Sequence, residues 1–331
     1  MRIDAVPLLR CPACAAPVAL AGGTADGTGE VAEGQLACQA GHHYPIRRGV
    51  PRFVPSQAYS ASFGFQWNRF ARTQLDSATG RDESYRTFMQ KTGVEPVDLS
   101  GKMVLDVGCG MGRFVELCAR AGARVFGVDL SLAVEAAAAN LRAWPNANVF
   151  QADLFRLPFP DAAFDLVYGI GVLDHTPDTR AATLALPRLL RPGGTLAIWV
   201  YSRHLADRLP HLLSVAYRQV TRRLPPDRLL ALCQILAPLG RLHRIPVLGH
   251  LTYCLLPVSK HPDPECRILD TFDWYAPQFK WRHTYGEVTA WFREAGLEEI
   301  RCLPVPVAVR GKRPEAPPRT PAEPARSAAR A

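Results

Sequence analysis

The stretch of sequence that decides the fold is Val104-Leu105-Asp106-Val107-Gly108-Cys109-Gly110-Met111-Gly112. Its mainly apolar first half predicts a short buried strand. Three glycines at alternate positions follow, and their freedom in φ lets the chain turn and lets a ligand approach the backbone. A segment typical of a helix, Arg113–Ala121, begins directly behind the turn. We therefore expect a strand, a glycine turn and a helix, with a ligand site at the carboxyl end of the strand.

The spacing of the glycines narrows the class of ligand. The order here is G-x-G-x-G, whereas the dinucleotide-binding turn reads G-x-G-x-x-G and holds a pyrophosphate at the helix N-terminus. Asp106 precedes the glycines, and its carboxylate suits a neighbouring ammonium group, partly through water. The sequence therefore favours a ligand with an ammonium group over one with a pyrophosphate.

Segments typical of strands and helices alternate from Lys102 to Ser202, which predicts βαβ units and a parallel sheet. After Met103–Val107 we expect strands at Arg124–Val128, Val149–Gln151, Phe164–Tyr168 and Thr195–Tyr201, a helix at Leu132–Trp144, and a turn at Arg191–Gly194. The alternation resumes with a helix at Tyr285–Ala295, capped by Thr284 and Glu287 and ended by Gly296, and with strands at Leu297–Cys302 and Val305–Arg310.

Two further carboxylates follow predicted strands. Asp129 ends the second strand, 21 residues after Gly108, where it can accept hydrogen bonds from both hydroxyls of a ribose. Asp153 follows the third strand and can accept from an adenine amino group, with the Leu154 N–H facing the ring; it also suits a helix N-cap. Because the carboxyl ends of parallel strands meet at one sheet edge, the three acids predict a nucleoside site there.

The chain resembles the class I S-adenosylmethionine-dependent methyltransferases of the methyltransferase type 11 group over roughly residues 60–310. The motifs are LDVGCGMG (105–112), VFGVDLS (125–131), QADLFRLPF (151–159), FDLVYGIGVLDHTPD (164–178) and LRPGGTLAIWVY (190–201). The resemblance implies a doubly wound, seven-stranded Rossmann-like α/β sheet whose last two strands form an antiparallel pair. The S-adenosylmethionine contacts expected from the motifs are Asp106, Gly108, Cys109, Gly110, Gly112, Asp129, Leu130, Asp153, Leu154 and Gly169.

The candidate catalytic residue is His175, in the segment after the fourth strand, where the methyl group should emerge. Methyl transfer from a sulfonium needs mainly alignment, and a base only where the acceptor must lose a proton. An imidazole ordinarily titrates near neutrality and suits that role. The alternative is that His175 caps a loop by hydrogen bonding to the backbone. Asp174 replaces the first histidine of a His-His pair common in relatives, so no role is carried over to it.

Residues 203–265 interrupt the alternation with Leu- and Arg-rich helical segments punctuated by prolines. In this fold the connection lies over the cofactor cleft, so two interpretations stay open: a lid or acceptor pocket, and a helical cap that completes a core. The aromatic side chains of residues 271–285 and 63–70 have similar alternatives, a substrate pocket or internal packing.

The N-terminal residues contain a pattern typical of a zinc site. Cys11 and Cys14 form a C-x2-C turn, and Cys38 and His42 form a C-x3-H turn. Two such turns can present four ligands to one structural Zn²⁺, which substitutes for a hydrophobic core; His43 is the rival fourth ligand. About 45 residues are similar to the zinc-ribbon heads of some ribosomal RNA guanine methyltransferases and to the zinc-ribbon partner of transfer RNA methyltransferases.

The net charge of +9 is concentrated in two segments. Residues 202–260 hold nine Lys/Arg against two acids and residues 310–331 hold six against two, which leaves the main fold close to neutral. These segments suit an anionic surface or are solvated exteriors. The expected domains are a zinc-ribbon-like module (1–52), a helical connector (53–98), a cofactor-binding core (99–202), a helical insertion (203–265), the end of the fold (266–310) and a disordered tail (311–331).

The favoured function is transfer of a methyl group from S-adenosylmethionine to a small or lipid-like acceptor. RNA methylation is an alternative that the ribbon and the basic segments favour, although the near-neutral main fold opposes it. A catalytically silent S-adenosylmethionine-binding protein whose ribbon docks a partner is a further alternative. Because no apolar run reaches the length of a bilayer span and Met1–Arg10 lacks the apolar part of a secretory signal, we expect a cytoplasmic protein. The sequence does not indicate the oligomeric state.

Overall fold

The structure, a computed structural model, describes residues 1–54, 60–203 and 208–315. The strands are β1 (Val18–Gly22), β2 (Gly34–Cys38), β3 (His43–Arg47), β4 (Val50–Pro51), β5 (Met103–Val107), β6 (Arg124–Asp129), β7 (Ala147–Gln151), β8 (Phe164–Ile170), β9 (Leu190–Trp199), β10 (Glu298–Cys302) and β11 (Ala308–Lys312). The α-helices are α1 (Ala61–Arg69), α2 (Asp76–Thr79), α3 (Glu83–Thr92), α4 (Arg113–Arg120), α5 (Ala133–Asn140), α6 (Thr179–Leu184), α7 (Arg208–Thr221), α8 (Pro226–Leu236), α9 (Leu239–Leu242), α10 (Leu248–Leu255), α11 (Pro264–Tyr275) and α12 (Tyr285–Glu294).

A seven-stranded sheet in the order β10-β11-β9-β8-β5-β6-β7 forms the centre of the molecule. Neighbours from β9 to β7 are parallel, and β11 is antiparallel to both β9 and β10. The strands at the centre of the sheet are buried along most of their length, as expected where both faces of a parallel sheet are covered. The predicted Rossmann-like sheet with an antiparallel last pair is confirmed, and β5 has the predicted bounds.

The strand β9 begins earlier than the sequence suggested and contains Arg191–Gly194. Phe164 pairs with Leu190, but Leu166 pairs with Thr195, so β9 carries extra residues opposite β8. These residues form a bulge, in which Gly193 has a φ of +75°. The prediction of a turn ahead of this strand was therefore wrong, because proline and glycine favour bulges as well as turns.

The last helix and strand pair follow the sequence closely. The Thr284 and Glu287 side chains each accept a hydrogen bond from the other residue's backbone N–H, which is the predicted capping box at the start of α12. Gly296 follows α12 with a φ of +71°. The last strand, β11, continues to Lys312, past the expected start of the tail at residue 311. Residues 316–331 of that tail lie outside the described residues.

The N-terminal strands β1 to β4 form a separate four-stranded antiparallel sheet. Directly after β4, Arg52 forms a parallel bridge with Gln151 at the outer edge of β7. The ring of Phe53 lies 4.9 Å from the ring of Tyr44 and 6.4 Å from that of Phe150. The hydrophobic core of this module is therefore continuous with that of the large sheet.

The insertion forms helices α7 to α10 and leads into α11, which crosses the expected boundary at residue 265. Residues of α8 and α11 share a second core with side chains of the connector, among them Phe65 and Phe70. Among the residues that the structure describes, none of the helices combines the length and the apolar character needed to cross a bilayer. The insertion therefore packs on α11 and on the connector.

Candidate active site

The glycine turn lies at the carboxyl end of β5. Gly108, Gly110 and Gly112 have φ values of +76°, +53° and +88°, a region that favours glycine. A Cβ atom on Gly108 would lie 2.2 Å from Val172 in the loop after β8. The turn and this loop therefore approach each other too closely for any side chain at position 108.

A cavity of about 360 Å³ opens at this edge of the sheet, within the size range of ligand sites. Of the site residues that the sequence suggested, the cavity is lined by Gly108, Cys109, Gly110, Asp129, Leu130, Asp153, Leu154 and His175. The other three are not among the lining residues. Asp106 is the penultimate residue of β5, Gly112 precedes α4, and Gly169 is part of β8.

Asp129 is held in one orientation by backbone and side-chain donors. Its Oδ2 accepts the Gly110 N–H at 3.0 Å, and its Oδ1 accepts the N–H and the hydroxyl of Ser131 at 2.8 and 2.7 Å. Burial raises the pKa of Asp129, and these hydrogen bonds oppose the shift. Because an ionised carboxylate has about four acceptor positions, Asp129 retains capacity for a hydroxyl of a ligand.

Asp153 caps a short helical turn and also lines the cavity. Its Oδ1 accepts the Phe155 N–H at 3.0 Å and so caps a short helical turn. The same residue lines the cavity next to Leu154. Capping fixes the direction of the carboxylate without removing all of its acceptor capacity.

Asp106 is a buried carboxyl group with an unsatisfied oxygen. Its Oδ2 has no hydrogen-bond partner among the described residues. Burial raises the pKa of Asp106 to about 8, and a hydrogen bond with the Tyr168 hydroxyl acts in the opposite direction. A cation bound above the glycine turn would stabilise the ionised form of this group.

His175 is 4% exposed and has a defined ring orientation. Its Nδ1 lies 2.8 Å from the carbonyl oxygen of Phe279, and since a carbonyl only accepts, Nδ1 carries the hydrogen. In the neutral ring Nε2 is then the basic atom. The rings of Phe63 and Tyr201 lie 5.0 and 5.6 Å from the imidazole. The backbone hydrogen bond expected for a loop cap is thus present, and it leaves one nitrogen basic.

Asp174, the neighbour of His175, is fully buried and is not among the residues that line the cavity. Its Oδ2 accepts the backbone N–H of Tyr201 at 3.2 Å, and its backbone carbonyl accepts the N–H of Trp281 at 2.9 Å. Burial raises the pKa of the carboxyl group. Asp174 therefore ties the loop after β8 to the end of β9 and to the segment after α11.

The cavity also contains charged groups that the sequence did not single out. Lys91 of α3 lies with its ammonium 3.3 Å from the ring centre of Trp199, and burial lowers its pKa to about 7. Asp270 of α11 accepts the Ser259 hydroxyl at 2.8 Å, and burial raises its pKa to about 6. Both residues lie on amphipathic helices, where a charged residue ordinarily indicates a solvated face, so the sequence carried no sign of their position.

The aromatic residues divide between the two expected roles. Phe63 and Trp67 of α1 line the cavity. The indole of Trp67 lies close to the glycine turn, since a Cβ added to Gly110 would be 3.2 Å from its Nε1. Phe272 instead packs on Phe65 in the core between connector and insertion. Trp281 donates its indole N–H to the Thr176 carbonyl at 2.9 Å. Phe272 and Trp281, in the aromatic segment 271–285, are thus engaged in internal contacts. The aromatic side chains of α1 instead line the cavity.

The four expected metal ligands lie together in the N-terminal module. The ligand atoms of Cys11, Cys14, Cys38 and His42 all lie within 4.8 Å of one another. Neighbouring pairs are 3.3 to 3.7 Å apart: His42 Nδ1 from both Cys38 and Cys11, and Cys14 from Cys38. His42, and not the neighbouring histidine, completes the group. The Tyr44 hydroxyl lies 3.0 Å from the Cys11 sulfur.

The centre of the chain is similar to a known protein family. Residues 105–198 match the family described as methyltransferase domain. The chain is 32% identical over 148 residues to sterol 24-C-methyltransferase of Gibberella zeae, an alignment covering 43% of this chain and 37% of that protein. It is 34% identical over 129 residues to 27-O-demethylrifamycin SV methyltransferase of Amycolatopsis mediterranei, covering 37% of this chain and 47% of that protein.

Among solved structures, the chain is similar to phosphoethanolamine N-methyltransferase 2 of Haemonchus contortus in complex with S-adenosyl-L-methionine. The alignment covers 78% of this chain and 47% of that chain, with 16% identity and a TM-score of 0.42. The chain spans less than half of the length of the two curated relatives named above. The matched segment runs from the end of β5 to the end of β9 and includes the glycine turn, Asp129, Asp153 and His175. The similarity to the methyltransferase domain family therefore covers residues 105–198.

Proposed function

We propose that the protein is an S-adenosylmethionine-dependent methyltransferase that acts on a small or lipid-like acceptor. The observation that carries the proposal is that the glycine turn, two oriented carboxylates and a histidine with a free basic nitrogen share one cavity. S-adenosylmethionine supplies a methyl group on a sulfonium, and its transfer requires chiefly an aligned nucleophile in a dry site.

The residues present suit this cofactor. Asp129 would receive the ribose hydroxyls, and Asp153 with the Leu154 N–H would receive the adenine. Once ionised by the approach of the ammonium group of the methionine part, Asp106 would supply the negative charge opposite it, and its buried Oδ2 has no partner among the described residues. The absence of side chains at Gly108 and Gly110 keeps the backbone of the turn accessible to the cavity.

His175 is the proposed general base for acceptors that must lose a proton. The acceptor's lone pair forms the new bond to carbon, the bond from sulfur to carbon breaks with its electron pair remaining on sulfur, and the acceptor proton passes to Nε2 of His175. The hydrogen bond to the Phe279 carbonyl keeps Nδ1 protonated and thus leaves Nε2 basic. Where the acceptor carries no proton on its nucleophilic atom, the same histidine only shapes the site.

The acceptor class rests on the lining and on the relatives. Phe63, Trp67 and Trp199 give the cavity a partly aromatic wall, which favours an acceptor with an apolar body. Lys91 and Asp270 provide charged partners for a polar group on that acceptor. The relatives named above are called sterol and rifamycin methyltransferases, which supports a small or lipid-like acceptor.

We further propose that the N-terminal module binds one structural Zn²⁺. Three thiolates and an imidazole are a preferred donor set, and separations of 3.3 to 3.7 Å between ligand atoms suit bonds of about 2.0–2.3 Å to a central ion. Four protein ligands leave no open position, so the site would be structural. Metal analysis of protein purified without chelator should find one zinc per chain, and much less than one would contradict this assignment.

Calorimetry and isotope transfer test the enzymatic proposal together. Calorimetric titration should show binding of S-adenosylmethionine and of its demethylated product, and Asp129→Ala should abolish it. Tritiated methyl groups supplied to a cell extract should appear in the organic-soluble fraction. Labelled RNA would instead support the RNA alternative, and binding without transfer to any fraction would support a silent binding protein.

A further inference from the structure

The helix α10 presents an apolar stripe to solvent. Leu248, Leu251 and Leu255 occupy one side of the helix and are 46%, 59% and 55% exposed. In a helix that packs on a core this stripe faces inward. Here the inward side holds Gly249, where an added Cβ would lie 2.5 Å from the backbone of His243. The helix therefore packs through its glycine and leaves its leucines uncovered by the described residues.

The exposed surface extends beyond α10. Ile245 and Val247, in the segment before the helix, are 47% and 86% exposed. We call these two residues together with the three leucines the α10 face. The helix α7 packs beside α10, where the Tyr217 hydroxyl donates to the Leu255 carbonyl at 2.8 Å. Five exposed apolar side chains within eleven residues make the α10 face a candidate interaction surface.

Cations border the α10 face, and acids are missing from this part of the sequence. Arg241 and Arg244 precede α10, Lys260 follows it, and all three are exposed. The Arg244 guanidinium donates to the Lys260 carbonyl at 2.8 Å, which holds the two flanking segments together. The sequence contains no Asp or Glu between Asp227 and Asp263. The surface therefore combines exposed apolar side chains with exposed cations, in a stretch of sequence without acids.

We propose that the α10 face docks on the surface of an anionic lipid bilayer. Anionic headgroups complement the cations, and the boundary between headgroups and acyl chains accepts the leucines. An eight-residue helix can lie in this interface but cannot cross the membrane. Docking would bring the protein to lipid-like acceptors. Because vesicle binding is measured without methyl transfer, its outcome does not depend on the proposed function.

Two other occupants fit the charge less well. A second copy related by a two-fold axis would bring the same cations against each other with no acid between them. RNA would pair with the cations but would leave the exposed leucines in water, because phosphate contacts bury little apolar surface. The combination of apolar stripe and cations is the one typical of helices that bind membrane interfaces.

Vesicle co-sedimentation tests the proposal with the full chain. The protein should bind vesicles of equal parts phosphatidylglycerol and phosphatidylcholine at least about tenfold more tightly than phosphatidylcholine vesicles, and added salt should weaken the binding. Leu251→Ser/Leu255→Ser should weaken binding to the mixed vesicles about tenfold. Arg241→Gln/Lys260→Gln should remove most of the preference for anionic vesicles.

The matched control is Val97→Ser, which removes an apolar side chain that is 73% exposed and lies in the connector. It should bind vesicles as the unaltered protein does. Circular dichroism and affinity for S-adenosylhomocysteine establish that each variant is folded. The proposal is overturned if the unaltered protein does not bind mixed vesicles or if the double leucine variant binds them equally well. It is also overturned if sedimentation velocity shows a dimer that this variant dissociates, since the face is then an interface between copies.

Discussion

The backbone N–H of Phe53 donates to the carbonyl oxygen of Gln151 at 2.8 Å, and this contact joins the N-terminal module to the edge of the large sheet. The Gln151 side chain in turn donates to the Leu130 carbonyl at 2.9 Å, in the loop that follows Asp129. The buried Arg52 pairs with Glu135 of α5. The module therefore supports the loop at Asp129 and Leu130, which lines the cavity.

Loss of the metal ligands should accordingly weaken cofactor binding, although the two sites are separate. Cys38→Ser should lower zinc content and lower the melting temperature by several degrees. It should also weaken the affinity for S-adenosylmethionine by about fivefold or more, a usual size for coupling between sites. Zinc analysis, thermal melting and calorimetry measure the three effects. Cys302→Ser, at an exposed position in β10, is the control, and equal cofactor affinity of zinc-free and zinc-loaded protein would refute the coupling.

Asp106 should make the protein less stable as the pH rises. Burial raises its pKa in the folded state to about 8, well above the ordinary value of about 3.9, so the folded protein holds a proton that the unfolded chain releases between these values. Stability from this group is present at low pH and is lost as pH rises through that interval. Urea unfolding should show that, relative to the unaltered protein, Asp106→Asn gains several kcal/mol of stability as the pH rises from 4 to 8.

The same variant separates stability from binding. At pH 4 the Asp106 carboxyl group of the folded protein is protonated and, like the amide of the variant, neutral, so the two proteins should differ little in stability. At pH 8 Asp106→Asn should be the more stable protein and the weaker binder of S-adenosylmethionine, because the amide cannot supply a charge for the ammonium group. A parallel pH dependence of the two unfolding curves would contradict the role of the carboxyl group.

The sequence predicted the parts of the fold and the site that depend on local pattern. The strand before Asp106, the capping box at Thr284 and the spacing of the Cys/His turns each have a signature within a few residues. Position in the chain also sufficed to predict that Asp129 and Asp153 lie at one edge of the sheet, since the carboxyl ends of parallel strands meet there. These elements agree with the structure.

The remaining parts depend on tertiary packing, which no local pattern encodes. Trp67 and Lys91 reach the cavity from helices that precede the glycine turn, and Asp270 reaches it from a helix after the insertion. On sequence alone a tryptophan in a connector fits a core equally well. The bulge at Gly193 was missed for a related reason, because the same residues form a turn or a bulge according to the partner strand.

Replacement of His175 should separate base catalysis from loop capping. With an acceptor that loses a proton, His175→Ala should lower kcat by about 10²- to 10⁴-fold while the cofactor affinity changes little. Added imidazole should restore part of the rate, because it can occupy the space and accept the proton. Rates of tritium transfer at saturating acceptor measure both effects. An unchanged rate, or a loss that imidazole does not restore, would assign the histidine a structural role.

The glycine turn offers a test in which backbone strain and steric overlap are separated. Gly101 and Gly108 both have positive φ, +71° and +76°, so alanine at either position costs about 1–2 kcal/mol of backbone strain. At Gly101 an added Cβ meets nothing within 4 Å, whereas at Gly108 it would lie 2.2 Å from Val172. Gly101→Ala should therefore lower stability modestly and leave the affinity for S-adenosylmethionine intact.

Gly108→Ala should lower stability further and weaken the affinity about tenfold or more, because the turn must shift away from the loop after β8. Adding Val172→Ala removes the overlapping atoms but not the strain, so the double variant should recover part of the affinity. Urea unfolding and calorimetry give both quantities for all three proteins. If Gly108→Ala binds as tightly as Gly101→Ala, the close approach of the turn and the Val172 loop does not shape the cofactor site.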